Sequence, residues 1–165
     1  MIYIENEPVP ANALADLRQA VGWNRMEDCY RNPSMMSYYH IAVYDGNALI
    51  AYIDCVSNTV TDAYIQDLMV HPDYQGKGIG TKLMERMIGY LQSKHIYMIS
   101  VIFEESLKPF YDRFGFTHML SGQLETFACE LGILSAVLTL FCTLLSPWVK
   151  ARDYAMQPIQ NYKTS

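Results

Sequence analysis

The stretch of this sequence best suited to bind a ligand covers residues 67–80 and reads DLMVHPDYQGKGIG. An extended apolar run ends at Val70, and glycines follow at positions 76, 78 and 80, where an apolar helical pattern begins. A helix N-terminus leaves backbone amides unpaired and carries partial positive charge, and glycine lets a ligand approach the backbone closely. This arrangement predicts a binding site for a diphosphate group.

Two other phosphate-binding loops fit this stretch poorly. A P-loop needs Gly-Lys followed by Ser or Thr, whereas here Lys82 follows Thr81. A dinucleotide-binding loop needs GxGxxG and a later acidic residue, whereas this chain has GxGxG and no acid at the matching position near Ser100. A glycine-rich turn without a ligand remains the alternative.

The hydrophobic pattern predicts a mixed α/β domain around this loop. Residues 45–47, Asp-Gly-Asn, are typical of a tight hairpin. Helical spacing of apolar residues predicts helices over residues 11–21, 79–91 and 107–114. Extended runs predict strands over residues 2–4, 38–44, 48–57, 63–70, 96–103 and 116–120. A helix between two strands favours a parallel pair across that crossover, so we expect a mixed sheet flanked by helices.

Composition excludes several classes of function. The net charge is -5 and the basic residues are scattered, which argues against a nucleic-acid partner. The four cysteines form no CxxC pair and the four histidines stand apart from them, so no metal site is expected. The N-terminus lacks the pattern of a signal peptide. These features predict a cytoplasmic protein with reduced thiols.

Two motifs resemble those of a known family. Gln75-Gly76-Lys77-Gly78-Ile79-Gly80 is similar to the Q/R-x-x-G-x-G/A acetyl-CoA motif of the GCN5-related N-acetyltransferase (GNAT) family. About thirty residues on, residues 109–116, PFYDRFGF, resemble the second hallmark of that family, FYxxxGF. The resemblance covers residues 1–126 and implies a GNAT-like central mixed sheet, splayed between its fourth and fifth strands and flanked by helices.

The resemblance also implies a cofactor and an activity. It implies acetyl-CoA as co-substrate, used to acetylate a primary amine of a small molecule or peptide without an acyl-enzyme intermediate. A non-catalytic CoA-binding or interaction module with the same fold is the alternative. The pantetheine arm is expected along the backbone of Leu68, Met69 and Val70, with one N–H near Met69 facing the thioester carbonyl. The expected pyrophosphate contacts are the backbone amides of Gln75, Gly76, Lys77, Gly78, Ile79 and Gly80, with the charge of Lys77 in addition.

Acetyl transfer to an ammonium group also requires an acid and a base. Tyr111 matches the family position that protonates the departing thiolate, and the alternative is that it only packs. Asp67 is a candidate base, and Glu104 and Glu105 are the others. Adjacent strand residues face opposite sides, so at most one of these two glutamates is expected to face the cleft. Residues 22–39 are expected to select the substrate or to be ordinary core.

Residues 127–149 form an apolar segment whose only charged residue is Glu130. A run of this length could cross a bilayer, but Lys150 and Arg152 follow it, which would leave the catalytic domain on the side without acetyl-CoA. Membrane contact is therefore not favoured. A helix packed on the sheet, a homodimer interface helix and an altered reading frame remain open. We divide the chain into an acetyltransferase domain, residues 1–126, and an apolar helix with a polar tail, residues 127–165.

Overall fold

A computed structural model describes residues 1–124 of the chain. The predicted domain boundary and the apolar segment 127–149 lie outside the described residues. Short 3-10 turns occupy Pro72–Tyr74, Glu105–Leu107 and Asp112–Phe114. The helices are α1 (Ala11–Ala20), α2 (Glu27–Tyr30), α3 (Ile79–Ser93) and α4 (Lys108–Tyr111). The strands are β1 (Ile2–Glu5), β2 (Tyr39–Asp45), β3 (Ala48–Ser57), β4 (Asp62–Val70) and β5 (Met98–Val101).

The five strands form one mixed sheet in the order β1-β2-β3-β4-β5. Neighbouring strands are antiparallel from β1 to β4, and β5 joins β4 in parallel after the α3 crossover. The predicted hairpin is present, with Gly46 at φ 58 in the tight connection between β2 and β3. The mixed α/β fold class predicted from the sequence is therefore confirmed.

Each face of the sheet carries its own apolar layer. The face under α3 buries alternate residues of the central strands against the apolar side of that helix, among them Ile41, Ile53, Ile65, Leu83 and Met87. The face under α1 buries a smaller set: Leu14, Leu17, Ala42, Tyr52 and Met69. Burial of each large side chain contributes roughly 1.5–3 kcal/mol, so the larger layer under α3 supplies most of the cohesion.

β4 and β5 separate before β4 ends. Their parallel pairing covers only Asp62–Ile65 of β4 against β5, whereas β4 continues to Val70. The backbone of β4 beyond Ile65 is thus open on the side away from β3. This is the splay expected between the fourth and fifth strands.

The strand predicted over residues 116–120 is wrong. These residues form no strand, and within residues 1–124 no sixth strand lies beside β5. Phe116 packs against the core under α3, but Met119 and Leu120 are exposed, so the segment lacks the alternation that a half-buried strand needs. None of the helices within residues 1–124 is both long enough and apolar enough to cross a membrane.

Candidate active site

The glycine-rich loop leads into the N-terminus of α3. Gly76 and Gly78 have φ of 73° and 78°, in the left-handed region that disfavours a side chain, and Gly78 is the residue that precedes the first turn of α3. Gly80 has an ordinary φ, and a Cβ there would lie 3.6 Å from Val70 and 3.7 Å from Phe110. The glycines therefore shape a turn that directs free amides of α3 outward.

Two side chains brace this loop from within. Gln75 Nε2 donates to the carbonyl of Val70 at 3.0 Å. Lys77 Nζ donates to the carbonyl of Asp73 at 2.8 Å and lies 4.7 Å from the ring centre of Tyr74. Both side chains fold back onto the loop, which leaves the backbone as its ligand-binding part. Contact between the Lys77 charge and a phosphate stays a prediction.

A β-bulge interrupts β4 beside the open part of the sheet. The register pairs Tyr52 with Met69 but Asp54 with Gln66, so two residues of β4, Asp67 among them, lie opposite one residue of β3. Asp67 has φ 49, a left-handed conformation that Asp tolerates better than most residues. The bulge places Gln66 and Asp67 on the same face of the sheet, under α1, although regular alternation would separate them.

Asp67 is held in place by side chains from both N-terminal helices. Its Oδ1 accepts from Arg18 Nη1 at 3.0 Å, and its Oδ2 accepts from the Tyr30 hydroxyl at 2.7 Å. Arg18 also donates to the carbonyl of Asn24 and lies 5.0 Å from the Trp23 ring centre. Burial and the Asp67 charge raise the pKa of Tyr30, so that phenol stays protonated and donates. The role of Asp67 as a base stays a prediction.

The ladder indicates which backbone groups of β4 face the opening. His71 N donates to the carbonyl of Ile50 at 2.8 Å, and paired residues of an antiparallel ladder alternate between bonded and non-bonded positions. His71 is thus at a bonded position, Val70 at a non-bonded one and Met69 at the next bonded one, opposite Tyr52. Met69 therefore turns its N–H toward β3, whereas Leu68 and Val70 turn theirs toward the gap. The bond from Gln75 to the Val70 carbonyl fits this direction. Leu68 and Val70 thus have the backbone groups available for a ligand.

Two cavities meet at this opening. One, of about 670 Å³, lies between β4 and β5 and is lined by Asp67, Tyr64 and Glu104. The other, of about 580 Å³, runs along the glycine-rich loop to α3. Both are lined by Trp23, Leu68, Leu107 and Tyr111. Two ligands, one in each cavity, would therefore come into contact between Leu68 and Tyr111.

Tyr111 lies at this junction in an aromatic cluster. It is 6% exposed, and its ring stacks on Phe103 with 4.3 Å between the ring centres. The Phe110 ring lies perpendicular to it, with 5.0 Å between the ring centres. Burial raises the pKa of the Tyr111 phenol above its usual 10, and nearby Tyr64 raises it further. The phenol is therefore protonated at neutral pH and able to donate a proton.

The structure brings to the site Arg113 and Arg18, which the sequence did not single out, and Trp23, which belongs to the segment 22–39 expected to select the substrate or to be ordinary core. Arg113 lines the cavity at α3, with its Nη2 3.4 Å from Thr81 Oγ1. Trp23 lines both cavities, and Arg18 lines the one that contains Asp67. A basic residue inside the second motif was the available signal for Arg113. Arg18 gave none, because a helix residue distant in sequence reaches β4 only in the fold.

Comparison with known proteins agrees with this geometry. The chain matches the Acetyltransferase (GNAT) family over residues 4–116. The uncharacterized N-acetyltransferase ycf52 of Pyropia yezoensis is 28% identical over 122 residues, 70% of each chain. The GNAT family acetyltransferase SP0256 of Streptococcus pneumoniae is 29% identical with a TM-score of 0.60, over 75% of this chain and 98% of its own. An aminoglycoside 6'-N-acetyltransferase complexed with coenzyme A has the same fold, with a TM-score of 0.51, 20% identity and 61% of each chain covered.

The fold of the described residues is thus that of known GNAT acetyltransferases. Because the family match covers more than half of the sequence, this chain belongs to the GNAT acetyltransferase family. Several alignments are shorter than the one with Pyropia, and the chain spans between 37% and 70% of the length of the first relatives it matches.

Proposed function

We propose that this protein transfers the acetyl group of acetyl-CoA directly to a primary amine of a small molecule or peptide. The observation that carries the proposal is the meeting of the two cavities between Leu68 and Tyr111. One cavity offers helix amides to a diphosphate and the other offers Asp67 to a cation. The coenzyme A bound to the aminoglycoside acetyltransferase of similar fold supports the choice of donor.

The chain offers groups suited to each part of the donor. The C=O of Leu68 and the N–H of Val70 are offered to the pantetheine amides, in the manner of an added strand. The backbone amides of residues 75–80 receive the pyrophosphate at the start of α3, and Arg113 adds positive charge there. The N–H of Leu68 would then face the thioester carbonyl and stabilise the negative charge that develops on its oxygen.

Two proton movements complete the proposed reaction. The amine nitrogen forms a bond to the thioester carbon, the C–S bond breaks, and the thiolate leaves. Tyr111 donates its phenolic proton to that thiolate, because its raised pKa keeps it protonated beforehand. The acceptor ammonium loses one proton before the attack, which frees the lone pair of its nitrogen, and a second as the amide forms. Asp67 or Glu104, which line this cavity, accepts each proton and passes it to solvent.

Equilibrium binding of acetyl-CoA to the full chain, followed by thiol release with a panel of amines, tests the proposal. We expect binding with a dissociation constant on the order of micromolar and release of free CoA with at least one primary amine. Gly78→Glu is the negative control, since its side chain would occupy the diphosphate path. Absence of binding would refute the proposal, whereas binding without turnover for every amine would favour a non-catalytic CoA-binding module.

A further inference from the structure

Asp54 is the only buried charged residue within residues 1–124. It lies on β3, is 7% exposed, and shares the α1 face of the sheet with Tyr52. Its Oδ1 is buried without a hydrogen-bond partner, and its Oδ2 lies 3.5 Å from Gln66 Nε2, at the outer limit of a hydrogen bond. A buried carboxylate with so little compensation is expected to have a function.

The β4 bulge connects Asp54 to the substrate side of the site. Gln66 is paired with Asp54 across the ladder, and Asp67 follows it on the same face. Asp67 lines the cavity that would hold the acceptor, whereas Asp54 lies behind it. Burial, together with the charge of Asp67, raises the pKa of Asp54 to about 7. The two carboxylates therefore interact electrostatically although only one of them reaches the cavity.

The other groups around Asp54 limit how its charge can be balanced. On its own strand Tyr52 partly offsets the rise in the pKa of Asp54, and Tyr64 on β4 is also close enough to interact. His40 on β2 is its cross-strand partner, but the His40 ring nitrogens contact the Ser37 hydroxyl and the Glu7 carbonyl.

The cation Arg18 and the phenol Tyr30 already contact Asp67. A further cation beside Asp67 would relieve the repulsion between the two carboxylates.

We infer that Asp54 is a positioning residue which, through Asp67, strengthens binding of the acceptor as a cationic primary amine. This inference rests on the proposed function. The ammonium group lies beside Asp67, and Asp54 ionises as the ammonium binds, with its proton released to solvent. By linkage, such an acceptor binds more tightly as pH rises through the range in which Asp54 ionises, and its binding releases protons near neutral pH.

Binding of 2-phenylethylamine to the full chain tests this inference, because the cavity is lined by aromatic rings and this amine stays protonated to about pH 9. Calorimetry in two buffers of different ionisation enthalpy measures both affinity and proton release. For wild type we expect the affinity for the amine to rise about tenfold from about pH 5.5 to about pH 8.5. This is the rise expected if the bound amine lowers the pKa of Asp54 by about one unit. Asp54→Asn should bind at both pH values as weakly as wild type does at low pH.

The controls separate Asp54 from its surroundings. Asp28→Asn removes a fully exposed aspartate and should leave the pH dependence unchanged. The uncharged analogue 2-phenylethanol should bind without pH dependence. An affinity rise that persists in Asp54→Asn would assign the pH dependence to another group and overturn the inference.

Carboxyl NMR of the wild type covers the case in which Asp54→Asn does not fold. The Asp54 signal should titrate near neutral pH, and its midpoint should fall when the amine is added. An unchanged midpoint, or no amine binding at any pH, would overturn the inference. Acetyl-CoA binding and thiol release, measured in parallel, report separately on the proposed function.

Discussion

At the scale of single residues, Asp54 shows how a site can act against stability. Its pKa is raised from an unfolded value of 3.8 to about 7 by burial and by Asp67. Below pH ~4 the carboxyl is neutral in both states, and above pH ~7 it is ionised in both, so folding bears the full cost of a buried charge only at the higher pH. Stability from this group is therefore lost as pH rises between these two values.

Asp54→Asn should consequently stabilise the protein at alkaline pH. We expect no gain at pH ~4 and a gain that grows to an upper limit of about 4 kcal/mol above pH ~7, from roughly three pKa units at about 1.4 kcal/mol each. Urea denaturation at several pH values measures this difference. A gain of equal size at every pH would mean that the substitution acts through packing instead of charge.

Tyr111 permits a second test at the residue scale. Tyr111→Phe keeps the ring that stacks on Phe103 and removes only the hydroxyl. We expect kcat to fall by about 10²- to 10⁴-fold, as for loss of a general acid, while the affinity for acetyl-CoA stays the same. Single-turnover kinetics and equilibrium binding measure the two effects. Phe103→Leu, which disturbs the stack without removing a proton donor, is the control, and unchanged turnover in Tyr111→Phe would refute the acid role.

At the scale of elements, the N-terminus of α3 depends on its backbone conformation. Gly78 has φ 78, whereas Gly89 lies inside the same helix with ordinary φ, and a Cβ at either position meets no atom within 4 Å. An alanine side chain has room at both positions, so the two substitutions differ only in the backbone conformation that the alanine must adopt. The difference matters because the turn at Gly78 is what exposes the α3 amides to a ligand.

Gly78→Ala should accordingly destabilise the fold by about 1–2 kcal/mol and weaken acetyl-CoA binding. Gly89→Ala should instead stabilise α3 by up to about 1 kcal/mol and leave that binding unchanged. Thermal unfolding and calorimetry on the two variants give a matched comparison within one helix. Equal acetyl-CoA affinity in the two variants would mean that the conformation of the loop does not contribute to cofactor binding.

At the scale of the whole molecule, residues 1–124 contain a five-stranded sheet with an apolar layer on each face, and every motif assigned to the cofactor. We therefore expect a chain that ends at Thr126 to fold and to bind acetyl-CoA. Circular dichroism and calorimetry on the truncated and full chains test this. Aggregation of the truncated chain, or loss of its acetyl-CoA binding, would contradict this prediction.

The sequence by itself determined the features that depend on local order. The glycine spacing at residues 76–80 predicted a helix N-terminus, alternation predicted the strands, and two motifs predicted the family, because periods and turn chemistry are written along the chain. It did not predict that residues 116–120 lack a strand, because a strand depends on a partner elsewhere in the chain.

Tertiary structure alone decided how the site is arranged around β4. The bulge at Asp67 turns two adjacent residues to one face, and only the register with β3 creates it. Arg18 and Tyr30 reach Asp67 from two helices, and Asp54 becomes a buried titratable group only when α1 covers its face of the sheet. Such contacts depend on distances between segments far apart in the chain, which no local pattern encodes.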